Sequence, residues 1–420
     1  MAAGRTVQPP SAPADPPRRS EAPALGRRLT SLTVACLVLG ALVATSASAT
    51  PSARGPSGPD GPAGVTTGIA VFDRTTGRYT EQLNAETQFR SASVVKLLLA
   101  LDVLWDLGPD HQVPAADRTR LEAMLRGSDD GVASYYWTQR GGSRIIERTA
   151  TRLGLTGTAP PPAAYPGHWG YTALTASDTV RIYRYLLDQA PAAVREVVMG
   201  NLRRSTRCAN DGYDQRFGIP SASVGPWAVK QGWSGFTSGG PTADAGTPAA
   251  TSAAAPASRR TRGATEAAPP RHPTTAASTA TVDLARPALH STGTVGADDR
   301  AIVAVLTLHP VGTPYGSAYT HLTHLVASLD VPGAQRPSGT WLGTLGSGVR
   351  VRADATTDSA VITTLPAGVE VLVDCQKRGR PISDGPRSSD WWAHLPQYGG
   401  YMTNVYVDTS GERIPGVPVC

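Results

Sequence analysis

Lysine is almost missing from this chain: Lys96, Lys230 and Lys377 stand against thirty-six arginines. A guanidinium does not release its proton near neutral pH and an ammonium can, so a lysine retained in such a composition is a candidate for chemistry. Long apolar runs are missing as well. The stretch Leu32–Val43 falls short of the roughly 20 residues that cross a bilayer comfortably. With Arg27 and Arg28 before it and Ala47-Ser48-Ala49 after it, it reads as the core of a signal peptide within an N-terminal segment at 1–49. Membrane attachment is implied only if that segment stays uncleaved. Cys36 lies early in the run, and Thr33 and Val34 fit a lipobox poorly, so Cys36 is read as discarded with the segment.

A charge excess over the foldable part is also absent. The net charge is +6, but Arg5, Arg18, Arg19, Arg27 and Arg28 against Asp15 and Glu21 carry half of it. Arg259, Arg260, Arg262 and Arg271 against Glu266 carry the other half. The remainder is balanced, which removes the electrostatic motive for nucleic-acid binding. Cysteine is scarce: after export three remain, and an odd count in an oxidising compartment leaves one over. Cys375 and Cys420 both belong to the C-terminal part and are read as the disulfide pair, leaving Cys208.

Aliphatic residues fail almost completely between 239 and 285, a tract of Ala, Thr, Pro, Ser, Gly and Arg. Such a tract buries too little apolar surface to offset its conformational entropy, so a disordered surface insertion is expected there. It interrupts a domain at 64–331. Strand patterns stand on both sides of it, Trp227–Gly235 before and Leu289–Val295 and Ala301–Leu308 after, and are expected to pair antiparallel. Helices are expected at Ala92–Leu107, Arg118–Arg126, Val132–Thr138, Ser143–Leu153, Ser177–Leu187, Ala192–Leu202 and Ala318–Leu329. The first is apolar nearly all round, the mark of a buried central helix. Helices packed on a sheet make this an α/β sandwich. Short strands from Gly339 onward indicate a second, all-β domain at 339–420, joined by Pro332–Ser338.

Three short pieces carry chemistry. Ser93-Val94-Val95-Lys96 opens the central helix, Ser128-Asp129-Asp130 follows, and Lys230-Gln231-Gly232-Trp233 lies on a strand. Together they resemble the S-x-x-K, S-x-N and K-T-G set of the serine β-lactamases and penicillin-binding proteins, a class A β-lactamase-like pattern covering about Thr66 to Asp330. The resemblance implies a β-lactamase-like fold, an antiparallel sheet sandwiched with helices. It implies Ser93 as nucleophile, Lys96 as its base and Ser128 as proton relay. Asp130, Lys230, Gln231, Gly232 and Trp233 would then bind substrate, with the Trp233 backbone completing an oxyanion hole and Lys230 facing a substrate carboxylate. Independently, Ser93 and Lys96 three apart on a helix project together, and a serine at a helix start aims backbone N–H groups at a developing oxyanion.

The departures from that pattern are specific. Asp130 stands where Asn is usual, and a carboxylate near Lys96 favours its charged form. Gln231 replaces a hydroxyl residue, and the interval from Ser93 to Ser128 is short. Between Glu147 and Asp178 no acidic residue occurs, so a deacylating water has no evident base in that loop. His168 is its only imidazole and reads as a packing residue. The C-terminal strands, with Val349-Arg350-Val351-Arg352, the Pro366-Ala367-Gly368 turn and Trp391-Trp392, resemble a bacterial SH3-like barrel, which implies cell-wall targeting. The expected partners are peptidoglycan or wall peptide, with β-lactams as covalent ligands, outside the cytoplasm. No cofactor is expected, and no metal, because His321 and His324 lack convergent partners. A binding-only relative using the same cleft is the alternative.

Overall fold

The computed structural model describes residues 63–107, 112–240 and 282–420. The expected signal segment and the middle of the expected insertion lie outside these residues. The insertion's flank is narrower than expected: Val282 is buried, and the Leu284 carbonyl accepts from the Arg90 guanidinium at 2.7 Å.

Five strands form the main sheet: β1 (Thr66–Asp73), β2 (Arg78–Leu83), β3 (Trp227–Ser234), β4 (Ala288–Val295) and β5 (Ala301–Leu308). They run antiparallel in the order β2-β1-β5-β4-β3, so β3 is an edge strand, paired with β4 from Trp227 opposite Val295 to Ser234 opposite Ala288. Alternate residues of a strand face opposite sides. Ala70, Phe72, Ala304 and Leu306 face one apolar layer, and Ile69, Val71, Val303 and Val305 face the other.

The first layer holds α1 (Lys96–Trp105), α2 (Ala115–Arg126), α3 (Asp130–Gln139), α4 (Ser143–Leu153), α5 (Ala176–Arg184) and α6 (Ala192–Leu202); α5 runs on into a π turn at Tyr185–Gln189. Every residue of α1 from Lys96 to Leu104 is buried. Its leucines, each worth about 1.5–3 kcal/mol when fully buried, anchor the helix that carries the serine. The second layer holds α7 (Ile219–Ala222) and α8 (Tyr315–Ser328).

The C-terminal strands are β6 (Thr340–Gly343), β7 (Val349–Arg352), β8 (Val361–Leu365), β9 (Glu370–Val373), β10 (Cys375–Asp384), β11 (Arg387–Leu395) and β12 (Gly400–Thr403). They do not close into the expected SH3-like barrel. One open sheet has the order β8-β7-β12-β11-β10, and β9 pairs separately with β6. β9 also contacts α8, where the Glu370 N–H donates to Thr320 Oγ1 at 2.8 Å. Cys375 and Cys420 form a disulfide. The apolar core of this all-β module runs on into the second layer, with Val351, Val371 and Tyr398 in one cluster with Tyr319 and Leu322.

Candidate active site

Ser93 lies in a tight 3-10 turn, Ala92–Val95, that leads directly into α1. Ala92 holds φ at +45° and Ser128 at +55°, left-handed conformations that non-glycine residues seldom adopt. Ala92 directly precedes the expected nucleophile, and Ser128 is itself the expected proton relay. Gly232 explains how the edge strand reaches the same place. A Cβ there would stand 3.1 Å from the Ser91 carbonyl oxygen and 3.3 Å from the Ser93 nitrogen, tighter than most Cβ contacts, so glycine lets β3 run this close to the turn without displacing it.

Lys96 Nζ lies 2.8 Å from Ser93 Oγ, 2.6 Å from the Ser128 carbonyl and 3.2 Å from Ser128 Oγ. Lys230 Nζ donates to Ser128 Oγ at 2.9 Å and to the Gln231 carbonyl at 3.0 Å. One hydroxyl thus bridges two amines that are 0% and 1% exposed. Burial lowers the pKa of Lys96, against the opposing pull of Asp130, whose Oδ1 is 2.5 Å away and whose side chain is 67% exposed. Burial, and then the charge of Lys96, hold Lys230 well below its ordinary value. Desolvation therefore outweighs the carboxylate at Lys96 and favours the neutral amine that a base requires.

Other residues of the expected set are placed differently. Gln231 does not present its side chain to the cleft. It is buried on the face of Val229, opposite Lys230, where its amide donates to the carbonyls of Phe217 at 2.6 Å and Gln215 at 3.2 Å. Lys230 is held beneath the cleft by Ser128 rather than open to a substrate carboxylate. Trp233 does line the cleft, and its indole N–H donates to Asp211 Oδ2 at 2.9 Å. His168 stacks on Tyr171 with ring centroids 5.0 Å apart, yet it is exposed and also lines the cleft.

The cleft has a volume of about 560 Å³, and Ser93, Asp130 and Trp233 are among the residues that line it. Asp211 and Tyr213 are among the lining residues that escaped the sequence reading. The Asn210-Asp211-Gly212 turn signal was visible, but nothing local says that this turn folds over the serine. Asp211 accepts from the Tyr213 N–H at 3.2 Å, and burial raises its pKa. Trp169 also lines the cleft, with Lys96 Nζ 4.8 Å from its ring centre.

No family model matches the chain. It is 40% identical over 176 residues to proteins of Mycobacterium bovis and Mycobacterium tuberculosis named "Putative lipoprotein LppW", a match covering 40% of this chain and 54% of theirs. The chain thus spans about half the length of the curated relatives it matches. Among solved structures, a class A β-lactamase of Mycobacterium abscessus is similar at 15% identity and a TM-score of 0.41, covering 63% of this chain and 92% of that one. A β-lactamase of Streptosporangium roseum gives 14% and 0.42, covering 63% and 92%.

Proposed function

We propose that this chain is an exported serine hydrolase of the β-lactamase and penicillin-binding type, acting on peptidoglycan-like peptides or β-lactams through an acyl-Ser93 intermediate. The observation that carries it is the 2.8 Å approach of the buried Lys96 amine to Ser93 Oγ. In the reaction, neutral Lys96 takes the Ser93 proton while Oγ attacks the acyl carbon. The carbon–leaving-group bond breaks, and Ser128 Oγ passes a proton to the departing amine, backed by Lys230. Water then cleaves the ester and restores the serine, slowly, because the loop between Glu147 and Asp178 supplies no carboxylate base. The turn at Ala92–Val95 and the adjacent β3 backbone, brought close by Gly232, support the oxyanion role.

Export is supported by the 1–49 pattern and by the lipoprotein name of the relatives. The two-domain division, 64–331 with 339–420, and wall targeting by the SH3-like part belong to the same proposal. They are tested by co-sedimentation of the whole chain with peptidoglycan, compared with a chain ending at 331. A binding-only function has one specific observation in its favour, the Asp130 carboxylate 2.5 Å from Lys96, which pulls the amine toward its charged form.

Intact mass after exposure to a neutral fluorophosphonate and to benzylpenicillin decides between them. A covalent adduct on Ser93, lost in Ser93→Ala, is the expected result. A folded protein left unlabelled by millimolar probe over hours would establish the binding-only reading.

A further inference from the structure

A site built for carboxylate substrates presents cations to them, and among the described residues this cleft does not. Its described lining holds no lysine or arginine, while two carboxylates, Asp130 and Asp211, belong to it. The lysines beneath are held by Ser93, Ser128, Asp130 and the Gln231 carbonyl. Arg90 comes near the rim behind Gly235, but it is buried and its guanidinium donates to the carbonyls of Ser234, Leu284 and Arg286. Gln231, which would hold a substrate anion by position, turns its amide to the other face of the sheet.

The rest of the wall has a consistent chemistry. Trp169, Tyr171, Tyr213 and Trp233 line the cleft. Aromatic faces carry negative quadrupole potential and attract ammonium and guanidinium groups, more strongly as water is excluded. Asp211 is oriented from two sides, by the Trp233 indole and the Tyr213 N–H, so its carboxylate is fixed relative to that wall. Both carboxylates meet an incoming molecule, and Asp211 is the one bonded to the aromatic wall itself, where a cation on the rings would also reach it.

We infer that the Ser93 cleft selects acyl donors bearing an ammonium or guanidinium group, such as peptides with a free diamino-acid side chain, over donors bearing a carboxylate. The inference rests on the reading of Ser93 as nucleophile and names Asp211 as the residue that sets the preference. The acyl-transfer step is unchanged: the Ser93 O–acyl bond forms, the leaving group departs with the proton, and water regenerates the serine.

The test uses the full chain and three N-acetyl amino-acid p-nitrophenyl esters whose side chains are those of lysine, glutamine and glutamate. The p-nitrophenol burst gives the acylation rate, and intact mass locates the adduct on Ser93. The lysine ester is expected to react about tenfold or more faster than the glutamate ester, and Asp211→Asn should bring that ratio toward one. Should Asp211→Asn fail to fold by circular dichroism, Asp130→Asn reads the second carboxylate in the same ratio. Adducts that form on Ser93 at equal rates, or faster with glutamate, overturn the inference and leave the nucleophile standing. No Ser93 adduct from any ester or from the fluorophosphonate overturns the nucleophile reading and the inference with it.

Discussion

The α/β body and the C-terminal module treat charge in opposite ways. In the body Lys96, Lys230, Asp102, Asp178, Asp214 and Arg90 are all buried. In the module the ion pairs Lys377–Asp354, Arg378–Asp390 and Arg380–Asp358 stand at the surface. Exposed pairs contribute about 0–1 kcal/mol each and are screened by salt. Removing a charge from water costs several kcal/mol, which persists only where hydrogen bonds or function offset it. Of the three lysines in the chain, the body hides two around one serine hydroxyl and the module leaves the third over the Tyr401 ring at 4.0 Å. The contrast teaches that scarcity alone does not single out a lysine for chemistry: burial separates Lys96 and Lys230 from Lys377.

The sharpest way to break this contrast is to replace the lysines one at a time. Lys96→Met should lower the acylation rate of Ser93 by about 10³-fold, within the range for loss of a general base. Lys230→Met should lower it less, and Lys377→Met should leave it unchanged. Burst kinetics with the neutral ester measure all three. A rate for Lys96→Met within threefold of the parent would show that Lys96 is structural.

The disulfide is the module's counterpart of the body's buried network. It closes a separation of 45 residues, worth about 4 kcal/mol on the chain-entropy model, an upper figure. Cys375→Ser with Cys420→Ser should shift the urea midpoint accordingly. The apolar cluster shared with α8 implies that the body's transition moves too, so module and body fluorescence should report one transition. Two separated transitions would mean that the shared core couples them weakly.

Acid should strike the body through its histidines. Burial pushes His290 down to about 4 and His309 to about 3. Below the ordinary histidine value, about 6.5, the unfolded chain therefore binds protons that the folded chain refuses. Stability is present above that value, falls as pH drops toward about 4, and loses roughly 3 kcal/mol through His290. Urea titrations from pH 7 to 4 should show this slope, and His290→Gln should flatten it by about one proton. An unchanged slope would place the acid sensitivity elsewhere.

What was readable locally and what was not follow from range. The strand Ala301–Leu308 and the helices Ser143–Leu153 and Ala192–Leu202 match their apolar patterns residue for residue. Their periodicity is complete within each segment. The strand Cys375–Asp384 escaped because Gln376-Lys377-Arg378-Gly379-Arg380 looks like loop, and its pairing with β11 supplies what its composition withholds. Helix Ile219–Ala222 is too short for any period to show. At the site, Ser93, Lys96, Ser128 and Lys230 could be picked out by motif and rarity. The reversal of Gln231 required knowing which face of β3 meets Phe217. Asp211 depends on long-range bonds around its segment: the Tyr315 hydroxyl donates to the Asp214 carbonyl at 2.6 Å, and an Arg207 guanidinium N–H donates to the Gln397 carbonyl at 3.2 Å.

That last bond crosses from body to module and leads to the smallest expected effect. Tyr398, from the module, donates its hydroxyl to Tyr319 on α8 at 3.3 Å, and the Arg207 guanidinium lies 4.8 Å from its ring centre. The Tyr319 hydroxyl lies 3.1 Å from Ser221 Oγ, which donates to the Arg216 carbonyl at 2.6 Å. This chain of bonds runs along the segment 207–216 that carries Asp211 and Tyr213 into the cleft. Tyr398→Phe leaves the ring and its packing but removes the donor to Tyr319, which should cost about 1 kcal/mol. If the module braces the cleft wall, the lysine-to-glutamate ester ratio should also fall, because Asp211 is then held less firmly. A lower melting temperature with an unchanged ratio would show that the module stabilises the body without positioning the wall, and would confine its contribution to the shared core.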